Sequence, residues 1–265
     1  MWYSIRMRSQ KPAPKPARPG ARSLADVTPA LKKRLESGEI ESATLAEMLA
    51  IDLGALLRTV LPDADDEELA RVREGGITRR MAAAGEVLLT NLGKRSFDSL
   101  RKHRSDLVRG FSAHMVLADR GATLAQRLDR IRPLADDANS GVREWAWIAV
   151  RPAIIAEPKR AIEILTEWTS ESSPNLRRFA SESTRPRGVW CAHIGELKAQ
   201  PSPGLAVLEP LRADGHKYVQ DSVANWLNDA GKTCPDWVLK VCASWGRGTP
   251  PAATGRIIRR ALRNL

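Results

Sequence analysis

Val142-Arg143-Glu144-Trp145 decides the reading of the fold, because the same pattern stands 34 residues earlier as Val108-Arg109-Gly110-Phe111 and 34 residues later as Leu176-Arg177-Arg178-Phe179. A degraded fourth copy, Val219-Gln220-Asp221-Ser222, follows after a further 43 residues. Three of the four copies come after a turn-forming cluster, Asn139-Ser140-Gly141, Ser172-Ser173-Pro174 or Asp214-Gly215. Such clusters cap helix starts, so each copy is expected to open a helix. A period of 34 to 43 residues with paired helices is the mark of a HEAT-like α-solenoid. Two copies match further, in Arg151-Pro152 and Arg185-Pro186. Each arginine is expected about two and a half turns into its helix, just before a helix-ending proline.

The rest of the chain agrees with an all-α fold. Leu45, Met48, Leu49, Leu53, Leu56, Leu57 and Leu61 recur at the three-and-four spacing of one helix face, so residues 43–61 read as a helix. Ser42 or Ser37 would cap its start, and Pro62 would stop it. Residues 76–93 read as a second helix, opened at a glycine pair and closed by Gly93. No β-branched or aromatic run alternates with period two between hairpin turns. The domain expectation is a single solenoid over 23–265, with an N-terminal helical part (23–93) and repeats (94–265). One helix of each pair would line a concave basic groove. Residues 4–22 hold six basic residues, no acidic one and four prolines, and 1–22 reads as a disordered basic arm.

Composition bounds the function. The 265 residues are 43% apolar and 28% charged, as in globular proteins. The 42 Lys+Arg against 31 Asp+Glu leave +11, which favours a polyanionic partner, nucleic acid before membrane. No run of ~18 apolar residues exists to cross a membrane, and the opening MWYSIRMRSQ has no apolar stretch of secretory length, so no secretory leader is expected. No basic amphipathic helix with an aromatic apolar face favours membrane binding. Cys191, Cys234 and Cys242 form no CxxC pair, which speaks against a disulfide framework and for a reducing, cytoplasmic location. The four histidines are scattered, and no metal-site spacing is complete.

Three residue types could carry chemistry. Arg151 and Arg185, if both face the concavity, form an arginine ladder for spaced phosphates, joined by Arg178 and Arg187. The alternative is pairing with acids of neighbouring repeats. Eight tryptophans stand against three phenylalanines and two tyrosines. Trp145 aligns with Phe111 and Phe179 and reads as repeat core. Trp190 follows a Pro- and Gly-rich segment and reads as the better functional candidate, a stacking face for a base. Among the acids, Glu144, Glu182, Asp221 and Asp229 need a reason to stand in a basic groove. Stabilising an oxocarbenium-like sugar is one such reason, and an inter-helix salt bridge is the other.

Arg177-Arg178-Phe179-Ala180-Ser181-Glu182-Ser183-Thr184-Arg185-Pro186-Arg187, followed by Trp190, resembles the repeat signature of bacterial HEAT-like DNA alkylation repair glycosylases. Tyr218 to Asp229, then Lys232-Thr233-Cys234-Pro235-Asp236, is similar to their following repeat. Both look closest to the AlkC branch of the AlkC/AlkD superfamily. Arg256-Ile257-Ile258-Arg259-Arg260-Ala261-Leu262-Arg263 resembles the family's last basic helix. The resemblance covers about residues 140–265. It implies a monofunctional glycosylase that excises cationic N3- or N7-alkylated purines from double-stranded DNA without fully extruding the base. No metal or organic cofactor is implied, and a monomer in the bacterial cytoplasm, at the nucleoid, is expected. Because the chain stops at Leu265, the immunoglobulin-like domain of some AlkC-type proteins is expected to be absent.

Carried onto this chain, the resemblance makes Glu144 the catalytic carboxylate and Trp190 its aromatic partner. Glu182 and Asp229 match further motif positions. Arg143, Trp147, Arg151, Arg178, Arg185 and Arg187 are expected to contact DNA, with Lys217, Asn225 and Asn228. Asn225 stands where the AlkD branch carries a tryptophan, so an AlkD-like aromatic cage is not implied. The alternatives kept open are a non-catalytic HEAT-like solenoid recognising damaged or branched DNA, and a protein-interaction scaffold.

Overall fold

The computed structural model describes residues 18–265, and within them sixteen α-helices and no strand. The expected arm falls mostly outside the described residues. Its last part does not: Arg18 pairs with Glu47 at 2.5 Å, and Ala21 is buried. Packing thus begins at least five residues before Ser23 among those described.

The N-terminal part comprises α1 (Pro29–Glu36), α2 (Leu45–Ala50), α3 (Leu53–Val60), α4 (Asp66–Arg73) and α5 (Ile77–Leu92). A short α6 (Phe97–Leu100) leads into the repeats, α7 (Asp106–Ala118), α8 (Leu124–Ala135), α9 (Ser140–Ala156) and α10 (Pro158–Trp168). They continue as α11 (Pro174–Ser183), α12 (Gly195–Ala199), α13 (Leu205–Leu211), α14 (Lys217–Gly231), α15 (Pro235–Trp245) and α16 (Ala252–Ala261). The helix expected over 43–61 is two helices. Thr44, not Ser42, accepts the capping bond of α2. The chain then breaks at Asp52, whose carboxylate accepts from the N–H groups of Gly54 and Ala55 and so starts α3 anew. The expected helix over 76–93 is α5, ended by Gly93 at φ +69°, which glycine adopts freely.

Helices α5, α7, α9, α11, α14 and α16 pack side by side in that order, and α8, α10, α13 and α15 back them. Each repeated tetrad opens a helix of the first row, and its four positions have separate duties. The first and fourth are core: Val108, Val142, Leu176, Phe111, Trp145 and Phe179 are all buried. The second clamps the preceding turn. Arg109, Arg143 and Arg177 each donate to the carbonyls five and six residues back, which would otherwise stand unpaired. Gln220 does the same to the Asp214 carbonyl at 2.7 Å. Arg109 and Arg177 also reach Asp137 and Asp214 in the next repeat's turn, which locks repeat to repeat. The third position is Gly110, Glu144, Arg178 and Asp221, and in the last three copies it faces the site described next.

Candidate functional site: a charged cleft walled by the repeats and the α2 segment

Glu144, Arg178 and Asp221 line one cleft of about 690 Å³. Their common repeat position explains why α9, α11 and α14 all present a charge to the same space. Gly110 is the exception because a Cβ there would lie 2.6 Å from Met81 Cε and 2.8 Å from Trp145 Cδ1. The opposite wall comes from residues distant in sequence: Ser42 to Leu45 with Met48. The Ser42 hydroxyl and N–H both donate to the buried Asp106 carboxylate at the start of α7. Glu41 adds a 2.5 Å ion pair to Arg109. Arg260 from α16 and the Val189-Trp190 pair complete the rim.

Glu144 is the cleft's accessible and oriented acid. Its side chain is 41% exposed, with one oxygen 2.7 Å from an Arg178 guanidinium nitrogen. The other accepts from Trp147 Nε1, also at 2.7 Å. Trp147 itself is buried, so it backs Glu144 instead of offering a free face to a base. Arg178 is buried as well, between Glu144 and Glu182, with the Tyr218 ring 4.7 Å away. Burial opposes its charge, but Glu182 and Glu144 more than offset that and keep it firmly protonated.

Glu182 also lines the cleft but is 4% exposed. It accepts from Arg185 at 2.6 Å and Ser222 at 2.7 Å and pairs with Arg178 at 3.4 Å. Burial would raise its carboxyl, yet Arg178 and Arg185, helped by Ser222, hold it below the usual range. Asp229 does not reach the cleft wall: it is buried and holds Arg185 at 2.7 Å and Lys232 at 3.3 Å. Both acids therefore act as counter-ions that fix arginines, the salt-bridge alternative of the sequence reading. Asp221 is the second accessible acid, 37% exposed and bound by Arg256 at 2.7 Å and Arg260 at 2.9 Å.

The arginine ladder is not formed. Arg151 is 1% exposed, and its guanidinium donates to the carbonyls of Ser183, Arg185 and Ala192. Burial without a counter-ion in contact pushes its pKa down to about 10. Pro152 lies inside α9 and does not end it, whereas Arg185 stands beyond the end of α11. The two arginines therefore occupy different addresses. Arg185 lines the cleft but is engaged by Glu182 and Asp229. Arg187 donates to the Asp229 carbonyl. Arg143 stacks on Tyr218 at 5.2 Å while clamping its own turn. Asn228 is buried, donating to the Ala261 carbonyl and accepting from Asn264, so its amide is used in packing α14 against the C-terminal segment. Asn225 lines the cleft and accepts from Arg263. Lys217 is exposed at the first turn of α14.

Trp190 is 48% exposed on the cleft rim and has φ +67°, the single non-glycine residue with positive φ among those described. A bulky residue held there carries strain of roughly 1–3 kcal/mol, and such residues gather at functional sites. Tyr218, Arg256 and Arg260 were not among the expected site residues, and Asp221 stood among the candidate acids without an assigned role. For Asp221 the signal was present, as the third position of the degraded fourth tetrad.

The fold has known counterparts. A structure of Pseudomonas fluorescens alkylpurine DNA glycosylase AlkC, bound to DNA containing an abasic site analog, superposes with a TM-score of 0.65 over 92% of this chain and 65% of that one, at 24% identity. AlkD2 from Streptococcus mutans matches with a TM-score of 0.58 over 75% of this chain and 95% of its own, at 19% identity. The chain has the AlkC/AlkD-like fold. In sequence, a Bacillus subtilis protein, YhaZ, is 44% identical over 117 residues, which cover 44% of this chain and 32% of that protein. The match thus spans about a third of that relative's length, and 65% of the AlkC chain. No family model matches the sequence. No helix among the described residues is long and apolar enough to cross a membrane.

Proposed function

We propose that this protein is a DNA glycosylase that hydrolyses the N-glycosidic bond of cationic N3- or N7-alkylated purines in double-stranded DNA. The observation that carries the reading is Glu144, a half-exposed carboxylate held on both oxygens, by Arg178 and Trp147, inside a cleft rimmed by an exposed tryptophan. An alkylated purine cation is already a good leaving group, so the protein need not protonate it. The C1′–N bond breaks with its electron pair leaving on the base, which departs neutral. The sugar cation that remains is met by a fixed negative charge, which an acid in a preorganised setting supplies without rearrangement. Water adds to C1′, and its proton passes to solvent. Glu144 stabilises the cation and orients that water. Asp221 places a second carboxylate in the same cleft, and Trp190 offers a face to the cationic base or sugar. The AlkC-like fold with its DNA-bound counterpart supports the same reading. We place the enzyme in the cytoplasm, acting as a monomer.

The test is release of free methylated purines from DNA treated with a methylating agent, by wild type beside Glu144→Gln. Release lowered by roughly two orders of magnitude, the size of a lost electrostatic stabiliser, is expected with DNA binding kept. Release unchanged in the variant moves the acid to Asp221. Absence of release by the wild type on both 3-methyladenine and 7-methylguanine DNA rejects the enzyme and leaves a DNA-binding solenoid.

A further inference from the structure

The segment that carries Trp190 is irregular but tied in three places. Ile194 N–H donates to the Pro186 carbonyl at 3.0 Å and closes the loop at its base. Arg151 grips it from below, binding Ser183 and Arg185 on the way in and Ala192 on the way out. The third tie comes from outside the repeats. Thr78, the second residue of α5 and 112 positions earlier, donates its hydroxyl to the Trp190 carbonyl at 3.0 Å.

We infer that Thr78 is a positioning residue that holds the Trp190 ring over the cleft for the reaction. The Trp190 backbone is in the left-handed region, and its ring is half-exposed, so side-chain packing alone does not define where the ring stands. A hydroxyl bonded to the carbonyl of the strained residue resists the peptide rotation that would release it. Thr78 does not line the cleft, and any effect it has on chemistry passes through Trp190. The inference rests on the proposed function for its kinetic part alone.

The protein labelled with 5-fluorotryptophan contains eight such residues, and the Trp190 fluorine resonance is assigned by its loss in Trp190→Phe. Thr78→Val keeps the shape of the side chain and removes the donor. It is expected to shift and broaden the Trp190 resonance and leave the others in place, with Thr78→Ser restoring it. For purine release, kcat is expected to fall about two- to tenfold, the range of one hydrogen bond, with KM for DNA nearly unchanged. A Trp190 resonance unmoved in Thr78→Val, or not restored by Thr78→Ser, overturns the inference, and so does a moved resonance with unchanged kcat. If the wild type releases no purine, the glycosylase reading falls with the kinetic part, and the fluorine spectra still decide whether Thr78 positions the ring.

Discussion

Glu144 and Arg178 occupy the same position of successive repeats, and their side chains meet at 2.7 Å. A repeat that places its third residue on the inner face thereby builds an acid–base–acid row from Glu144, Arg178 and Asp221. The row alternates in sign, which lets an acid persist beside cations. Its energetics follow from which members are buried.

Arg178→Ala removes the partner of the buried Glu182 and the orienting group of Glu144. Breaking a buried pair from one side costs about 3–5 kcal/mol. Arg185 remains on Glu182 and softens the loss, so the lower end of that range is expected in urea unfolding. Wild-type stability would refute the assignment of Arg178 as the cleft's structural cation.

Arg151→Met distinguishes structure from DNA contact. Three carbonyls lose their donor, which lowers stability by about 2–4 kcal/mol. The salt dependence of DNA binding should be unchanged. Lys217→Ala, at an exposed site, should reduce the log–log salt slope by about 0.9 with little effect on stability. A slope reduced by Arg151→Met instead would mean that the fork reaches phosphate.

His114 gives a pH signature. It is fully buried, and burial lowers its pKa to about 4 from an unfolded value near 6.5. Below pH 6.5 the unfolded chain takes up a proton that the folded one refuses, so stability falls as pH drops from 6.5 towards 4. The contribution is roughly 3 kcal/mol at most. His114→Leu should flatten stability over that window, measured as urea midpoints at several pH values. An equally steep profile in the variant would assign the acid sensitivity to other groups.

Gly110→Ala puts a methyl against Met81 and Trp145 at the α5–α7–α9 crossing. Overpacking of about 1–3 kcal/mol is expected, read as a lower melting temperature. A neutral substitution would show that the Met81 end gives way.

The tetrads made the solenoid legible, whereas Glu144 as the catalytic acid came from the family resemblance, and its place in the cleft is a consequence of its position within the repeat. Trp145 was readable as core from its repeat position. The Arg-Pro pairs were misleading for a local reason: α9 continues through Pro152 to Ala156, whereas α11 has ended by Ser183. Equal spacing in sequence therefore led to unequal places. The burial of Asn228 and Asp229 depends on α16 and on Arg185, partners that only folding brings near. The cleft's second wall was illegible because it rests on contacts such as Ser42 to Asp106, 64 residues apart.

That second wall constrains how this molecule can change. Repeat arrays ordinarily tolerate gain or loss of units, since each touches its neighbours alone. Here Glu41 and Ser42 reach α7, and Thr78 reaches the loop after α11. A unit inserted between α7 and α11 would carry the two anchor points apart and open the cleft. The chain is a solenoid with a strap from α5 to the loop after α11, so a substitution within a unit leaves the strap standing while an added unit beneath it would break it.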